Sequence, residues 1–301
     1  MASYIQKTLI LITLITMISC HPNPKKDEIR IGFLHHSTGQ CIWEGNRSTF
    51  LSRKLDRLSH RVAWKFKKGP SLPGLFRKYN KEQHKNYKID DIVFPKTSPY
   101  GWRNYPYDYY NIWVKHSGDI SFMEEPTIEI LSKKYQVIIL KHCFPVCNIQ
   151  ADSGKGDINS DHKTIANYKL QYMGLREKFH SFPKIKFVLL TGAAQVRSNI
   201  SEPEAKRAKE FFSWVVKEWD IPDDNIFIWD LFSLQTEGGI YFNENFSSSI
   251  DDSHPNELFS ERASNLIFSR IIDIIENDGL RTNLIGEKIN NVINSLVSTL
   301  N

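Results

Sequence analysis

Short apolar runs alternate with amphipathic stretches of helical length along most of this chain, and that alternation restricts the fold more than any other feature. Ile29–Leu34, Val137–Leu140, Ile185–Leu190 and Asn225–Trp229 read as short buried strands. Between and after them, Pro126–Lys134, Asp161–His180, Ser201–Trp219 and Pro255–Glu276 read as helices. Pro126 and Pro203 suit a first helical turn, and Asn277-Asp278-Gly279 suits a helix end. This alternation of short, largely apolar strands with helices predicts an α/β fold with a central parallel sheet covered on both faces. A polar, Gly-containing turn follows the first strand, and Thr49–Ser59 is a further helical stretch. Residues 60–125 break the rhythm: Arg61–Lys67 and Asp91–Phe94 are short β-like pieces among Pro, Gly, Asn and Tyr. They predict an elaborated connection, or inserted irregular lobe, that contributes one core strand. Residues 278–301, with Leu284, Ile289, Val292, Ile293 and Leu296, are expected to form a helical appendage.

The N-terminus is expected to leave the fold altogether. Lys7 supplies a positive n-region, and Thr8–Ile18 is an apolar stretch too short for a comfortable membrane span. Met17-Ile18-Ser19-Cys20 then leads into the polar, Pro-containing segment His21–Lys26. This resembles a bacterial lipobox, with residues 1–19 as a lipoprotein signal peptide, Cys20 as the lipidated residue and residues 20–27 as a tether. The resemblance implies a lipid-anchored lipoprotein of the bacterial cell envelope, with the membrane as one partner. A plain secretory signal is the alternative. Cys41, Cys143 and Cys147 remain, an odd number. Cys143 with Cys147, or either with Cys41, are the possible pairings, and at least one thiol stays free.

Composition excludes other classes. With 41% hydrophobic and 12% aromatic residues, the chain has too much apolar surface for disorder as a whole. A mean hydropathy of −0.40 excludes a polytopic membrane protein. Residues 51–90 hold 12 Lys/Arg against 3 Asp/Glu, a local basic excess. No zinc-finger spacing, phosphate loop or nucleic-acid motif accompanies it, so it reads as a solvated surface rather than a nucleic-acid site. The stretch Pro99–Trp113 is dense in Tyr and Trp. Packing within the inserted lobe is the favoured reading of those rings, and stacking on sugars is the other.

Chemistry in an open α/β sheet gathers at the carboxyl ends of the strands. The first strand runs into His35-His36-Ser37-Thr38-Gly39, which places Ser37 as an exposed nucleophile at a helix N-terminus. A serine hydroxyl needs a general base, and the base needs an orienting acid. Asp251-Asp252-Ser253-His254-Pro255 stands just before the last core helix. His254 is the candidate base and Asp251, three residues earlier, the candidate acid, with Asp252 as the alternative. His35, His36 and His142 lack the carboxylate or Cys spacing of a metal site. No cofactor is expected, and a thiol nucleophile at Cys41 or Cys143 is disfavoured.

The Ser-containing turn after the first strand, followed by a D-x-x-H pair near the end, resembles the SGNH (GDSL-like) hydrolases, in a divergent H-H-S-T-G variant. The resemblance covers about residues 28–277. It implies a flavodoxin-like three-layer α/β/α domain and a Ser37–His254–Asp251 triad acting on an ester substrate. The family's middle motif places an oxyanion-binding Asn after the third strand. Here Cys143 falls at that position, with Asn148 further along the loop, so Ser37 (through its N–H), Asn148 and Cys143 are the oxyanion candidates. The family's Gly donor has candidates in Gly69, Gly74, Gly101 and Gly118. Resemblance, export and the aromatic loop together imply an acylated glycan as substrate. The alternatives are a non-catalytic glycan-binding lipoprotein or an assembly lipoprotein on the same fold.

Overall fold

The computed structural model describes residues 28–46 and 71–289. The leader, Cys20, the tether, the Thr49–Ser59 and Arg61–Lys67 segments and residues 290–301 lie outside the described residues.

Five parallel strands form the central sheet: β1 (Ile29–His35), β2 (Tyr87–Val93), β3 (Val137–Lys141), β4 (Lys186–Leu190) and β5 (Ile226–Trp229). Their order is β2-β1-β3-β4-β5, and helices cover both faces in a three-layer α/β arrangement. This is the flavodoxin-like order, in which the chain leaves β1 toward one edge and returns to build the other. The switch point therefore lies between the carboxyl ends of β1 and β3. Both strands are nearly free of solvent, β3 along its whole length, so reactive groups can stand only where these strands end.

One helical group holds α1 (Ser37–Glu44), α2 (Leu72–Glu82) and the long Glu257–Asn277 helix, which pack on one another. The other holds Pro106–Tyr110, its π-helical continuation Asn111–Lys115, Ile165–His180 and Glu202–Trp214. Helix Ile165–His180 starts at Thr164, whose hydroxyl accepts the Asn167 amide at 3.3 Å. It buries Ile165, Tyr168, Tyr172, Leu175 and Phe179, a stripe at helical spacing.

The inserted region contributes edge strand β2 and then an aromatic lobe. Trp102, Tyr105, Tyr109, Tyr110 and Trp113 are buried. Trp113 stacks on Phe94 and meets Tyr109 edge-on, both at 4.9 Å between ring centroids. The rings fill a core, as the packing reading expects, and leave little aromatic face for a sugar.

The helix expected after residue 278 is not seen in its described part, and residues 290–301 lie outside the described residues. Residues 280–289 form turns and a Thr282–Lys288 bridge instead of a helix. Gly286 has φ +91°, and a Cβ there would stand 2.1 Å from the Leu266 carbonyl oxygen. Asp273 accepts the Arg281 and Thr282 amides at 3.0 and 2.8 Å, which holds the segment folded back on the last helix.

Asp108 anchors the lobe by accepting the Arg103 and Asn104 amides at 2.8 and 2.7 Å. Burial pushes its carboxyl up to about 6 despite those bonds. A raised folded-state value means that the folded protein binds the proton more tightly, so stability from this group is lost as pH rises from about 4 to about 6. Asp108→Asn keeps a carbonyl acceptor and removes the titration. Wild type should lose on the order of 2–3 kcal/mol relative to Asp108→Asn across that window. Urea midpoints at pH 4, 5, 6 and 7 check this, and a constant difference between the two proteins contradicts it.

Candidate active site

The turn that carries Ser37 is built at the end of β1. His36 is extended (φ −127°, ψ −174°) and caps α1, so Ser37 is the first helical residue. The first amides of a helix have no intrahelical acceptor. Those of Ser37 and Thr38 therefore point out of the turn, with the positive end of the helix dipole behind them. Gly39 lets this turn sit directly on the strand: a Cβ there would stand 2.3 Å from the His35 Cβ.

His254 lies on a short two-stranded ribbon, β6 (Ser247–Ser249) and β7 (Asp252–Pro255), and β7 packs against α1. The carboxylate on its ring belongs to Asp252, not Asp251. Asp252 Oδ1 stands 2.6 Å from His254 Nδ1 and also accepts the His254 amide at 2.9 Å. Burial raises the Asp252 carboxyl, but the His254 amide and ring outweigh it and hold it below its ordinary value. Asp251 instead accepts the Ser249 hydroxyl. The correction has a simple cause. Residues 252–255 are extended, so side chains two apart share a face while those three apart do not.

The Ser37 hydroxyl lies 3.4 Å from Cys143 Sγ, and among the described residues no hydrogen bond joins it to His254. The next residue, Phe144, meets the His254 ring edge-on with centroids 5.0 Å apart. Ser37, Cys143, Phe144 and His254 thus form one contact series across the switch point.

The loop after β3 is firmly held. The Cys143 amide donates to the Asn104 carbonyl at 3.0 Å, which leaves the thiol as the Cys143 group facing Ser37. Buried Lys141 donates from Nζ to the His142 carbonyl at 2.6 Å. The peptide between His142 and Cys143 is therefore fixed at both its oxygen and its nitrogen. Asn148 stands after the single 3-10 turn Phe144–Cys147, and its Oδ1 accepts from Gln195 Nε2 at 3.2 Å. No hydrogen bond joins Asn148 to Ser37 among the described residues. Gly74 lies within α2, and Gly101 and Gly118 have open space around them; Gly69 is outside the described residues.

The three cysteines Cys41, Cys143 and Cys147 are free thiols, and none of the possible disulfides is formed. Burial, with Glu44 adding to it, pushes the Cys41 thiol up to about 11. Burial raises Cys147 as well, and its thiol donates to the Ala193 carbonyl at 3.0 Å. Neither supplies a thiolate near neutral pH. His142 is buried and held down to about 3 by burial and by Lys141, so it is neutral. His35 pairs with Asp91, and His36 hydrogen-bonds the Pro95 carbonyl. His35 and His36 thus face different groups, and neither ring nitrogen of His142 has a hydrogen-bond partner among the described residues.

Asn104 is the residue that the sequence reading did not single out. It holds φ 59°, donates from Nδ2 to the Phe94 carbonyl at 3.0 Å and accepts the Tyr109 hydroxyl at 3.2 Å. With its carbonyl on Cys143, it joins the ends of β2 and β3. An Asn in a Pro/Tyr-rich loop, where left-handed backbone favours Asn, is the signal that was present.

No protein-family model and no curated protein sequence matches the chain. Solved structures do. The chain is similar to an acetyl xylan esterase at 16% identity, covering 80% of this chain and 98% of that one, with a TM-score of 0.42. It is similar to a gut microbial diltiazem-metabolizing enzyme at 13% identity, over 81% of this chain and 47% of that one, with a TM-score of 0.43. It is also similar to a carbohydrate esterase described as having divergent catalytic and non-catalytic binding functions, at 14% identity over 85% and 71%, with a TM-score of 0.39.

The contact between Gly39 and His35 gives a direct test of the site's construction. Gly39→Ala forces α1 off the strand, and the overpacking should cost about 1–3 kcal/mol of stability. It should also lower the reactivity of Ser37 toward a fluorophosphonate in protein that is still folded. A variant of wild-type stability and reactivity would show that the turn has room the structure does not give it.

Proposed function

We propose that the protein is a serine ester hydrolase with Ser37 as nucleophile, His254 as general base and Asp252 as the orienting acid. The observation that carries this reading is the Asp252–His254 pair, placed beside the helix that bears Ser37 at the switch point of the sheet. Asp252 on Nδ1 leaves Nε2 as the basic nitrogen. Ser37 turns about its side-chain bond from Cys143 toward His254, passes its proton to Nε2 and attacks the ester carbonyl. Asp252 stabilises the imidazolium that forms. The Ser37 and Thr38 amides receive the oxyanion, with the Cys143 thiol on the opposite side of the hydroxyl. His254 then protonates the leaving alcohol, and water activated by the same base releases the acyl group. An O-acylated carbohydrate is the substrate class we assign. The export-type leader and the resemblance of the Ser and His motifs to SGNH hydrolases support it.

The second reading, a non-catalytic glycan-binding or assembly lipoprotein, draws on the Ser37 hydroxyl meeting Cys143 instead of His254. Mutagenesis separates the two. Ser37→Ala and His254→Ala should each lower turnover of a p-nitrophenyl acetate-type ester by at least about a thousandfold. Asp252→Asn should cost more than Asp251→Asn. Covalent labelling of wild type by a fluorophosphonate should be lost in Ser37→Ala. Unchanged turnover in Ser37→Ala ends the hydrolase reading, and a larger loss in Asp251→Asn moves the acid to Asp251.

We further propose that the chain is a lipoprotein of the bacterial cell envelope, anchored through Cys20. Support comes from the charged start, the short apolar stretch and the Ser19-Cys20 junction. Cys20→Ser should abolish incorporation of a clickable fatty acid and shift the protein from the membrane to the soluble fraction. Equal labelling of both proteins excludes the anchor.

A further inference from the structure

The two histidines before Ser37 take no part in the proposed proton transfers, yet groups outside their own segment hold both. His35 faces the same side of the sheet as Phe33, because side chains two apart on a strand share a face. Its ring lies 4.4 Å from that of Phe33 and 6.4 Å from that of Trp43 on α1, and only 1% of the residue is exposed. Asp91 on β2 is paired in register with Phe33, which puts it on that same face and diagonal to His35. Asp91 Oδ1 stands 2.8 Å from His35 Nε2, off the line of a ring N–H, so that the buried nitrogen has the carboxylate beside it but no hydrogen bond. The other ring nitrogen, Nδ1, lies 3.3 Å from the His36 carbonyl oxygen. That carbonyl also accepts the Gly39 and Gln40 amides, at 2.6 and 3.2 Å. It is the first acceptor of the α1 ladder. His36 itself donates from Nε2 to Pro95, two residues beyond β2.

An apolar side chain would fill the His35 space without the cost of burying a polar ring. What Asp91 adds is a negative charge 2.8 Å from a buried ring nitrogen that has no hydrogen-bond partner of its own. The imidazole is held between the carboxylate of β2 and the carbonyl from which α1 starts.

We propose that Asp91 and His35 are a positioning couple for the nucleophile. The couple fixes the His36 carbonyl, and with it the first turn of α1, so that the Ser37 side chain and the Ser37 and Thr38 amides face the crevice. Neither residue touches the reacting atoms. The proposal rests on Ser37 being the nucleophile, but the turn it describes is measurable without any reaction.

The test compares full-length wild type with Asp91→Asn, which keeps the shape and removes the charge, and with Asp91→Glu, which restores it. Four quantities are read: kcat and KM for a p-nitrophenyl ester, the fluorophosphonate labelling rate of Ser37, the melting temperature, and hydrogen–deuterium exchange of the Gly39 and Gln40 amides. A misplacement of about 1 Å costs up to roughly a hundredfold in rate. Asp91→Asn should therefore lower kcat and labelling by about 10- to 100-fold, with KM within about twofold, and should speed exchange at Gly39 and Gln40. Asp91→Glu should recover part of both. A purely stabilising role would lower the melting temperature and leave kcat and labelling of the folded protein unchanged, which overturns the proposal. If wild type neither hydrolyses esters nor labels at Ser37, the hydrolase reading falls by itself. Exchange then decides the couple: faster exchange in Asp91→Asn sustains it, and unchanged exchange overturns it.

Discussion

Burial of β1 and β3 on both faces is the constraint on which the site depends. Side chains along β3, and along β1 after its first two residues, have no solvent to face, so polar chemistry gathers at their carboxyl ends, where the chain turns in opposite directions and leaves a crevice. Ser37 stands at the end of one strand, and the Lys141–Cys143 segment is the end of the other. The ribbon that carries His254 is a later addition to the same edge, held by α1 and by the ring of Phe144.

Much of this was legible in the sequence because it follows from burial. Apolar runs with no alternation marked the four strands at Ile29, Val137, Ile185 and Asn225, and each lies within two residues of its observed place. The edge strand was harder. Tyr87–Val93 carries Asp90 and Asp91 and is only half-buried, so its pattern is diluted by charge. The carboxylate on the His254 ring is Asp252, the alternative of the sequence reading, because a spacing of three suits a turn or helix, whereas the segment is extended and follows a period of two. Residues 280–289 depart from a helix for a related reason. Its apolar residues fit a helical period, but Gly286 approaches the Leu266 carbonyl too closely for any side chain. That contact belongs to tertiary structure and leaves no mark on local periodicity.

The supporting network was the least legible part. Asn104, Asp108, Tyr109 and Lys141 come from two separate segments, and their hydrogen bonds close only when the lobe docks beside β3. Tyr109 donates to the Lys141 carbonyl at 2.9 Å while Asn104 receives the Cys143 amide. Buried polar networks of this kind set one geometry for a loop that would otherwise have several. The aromatic lobe is accordingly a scaffold for the crevice wall. Its rings exclude water from hydrogen bonds that fix the chain around Cys143.

A single residue, His36, separates the last residue of β1 from the first of α1. The junction has no spare residue to absorb a change of length. Each residue of an α-helix advances about 100° around its axis. Adding or deleting one residue at this junction would rotate Ser37 by more than a quarter turn, away from both His254 and Cys143. An insertion or deletion that leaves Ser37 in place must therefore fall elsewhere in the chain, in the long connection before β2 or in the ribbon before the last helix.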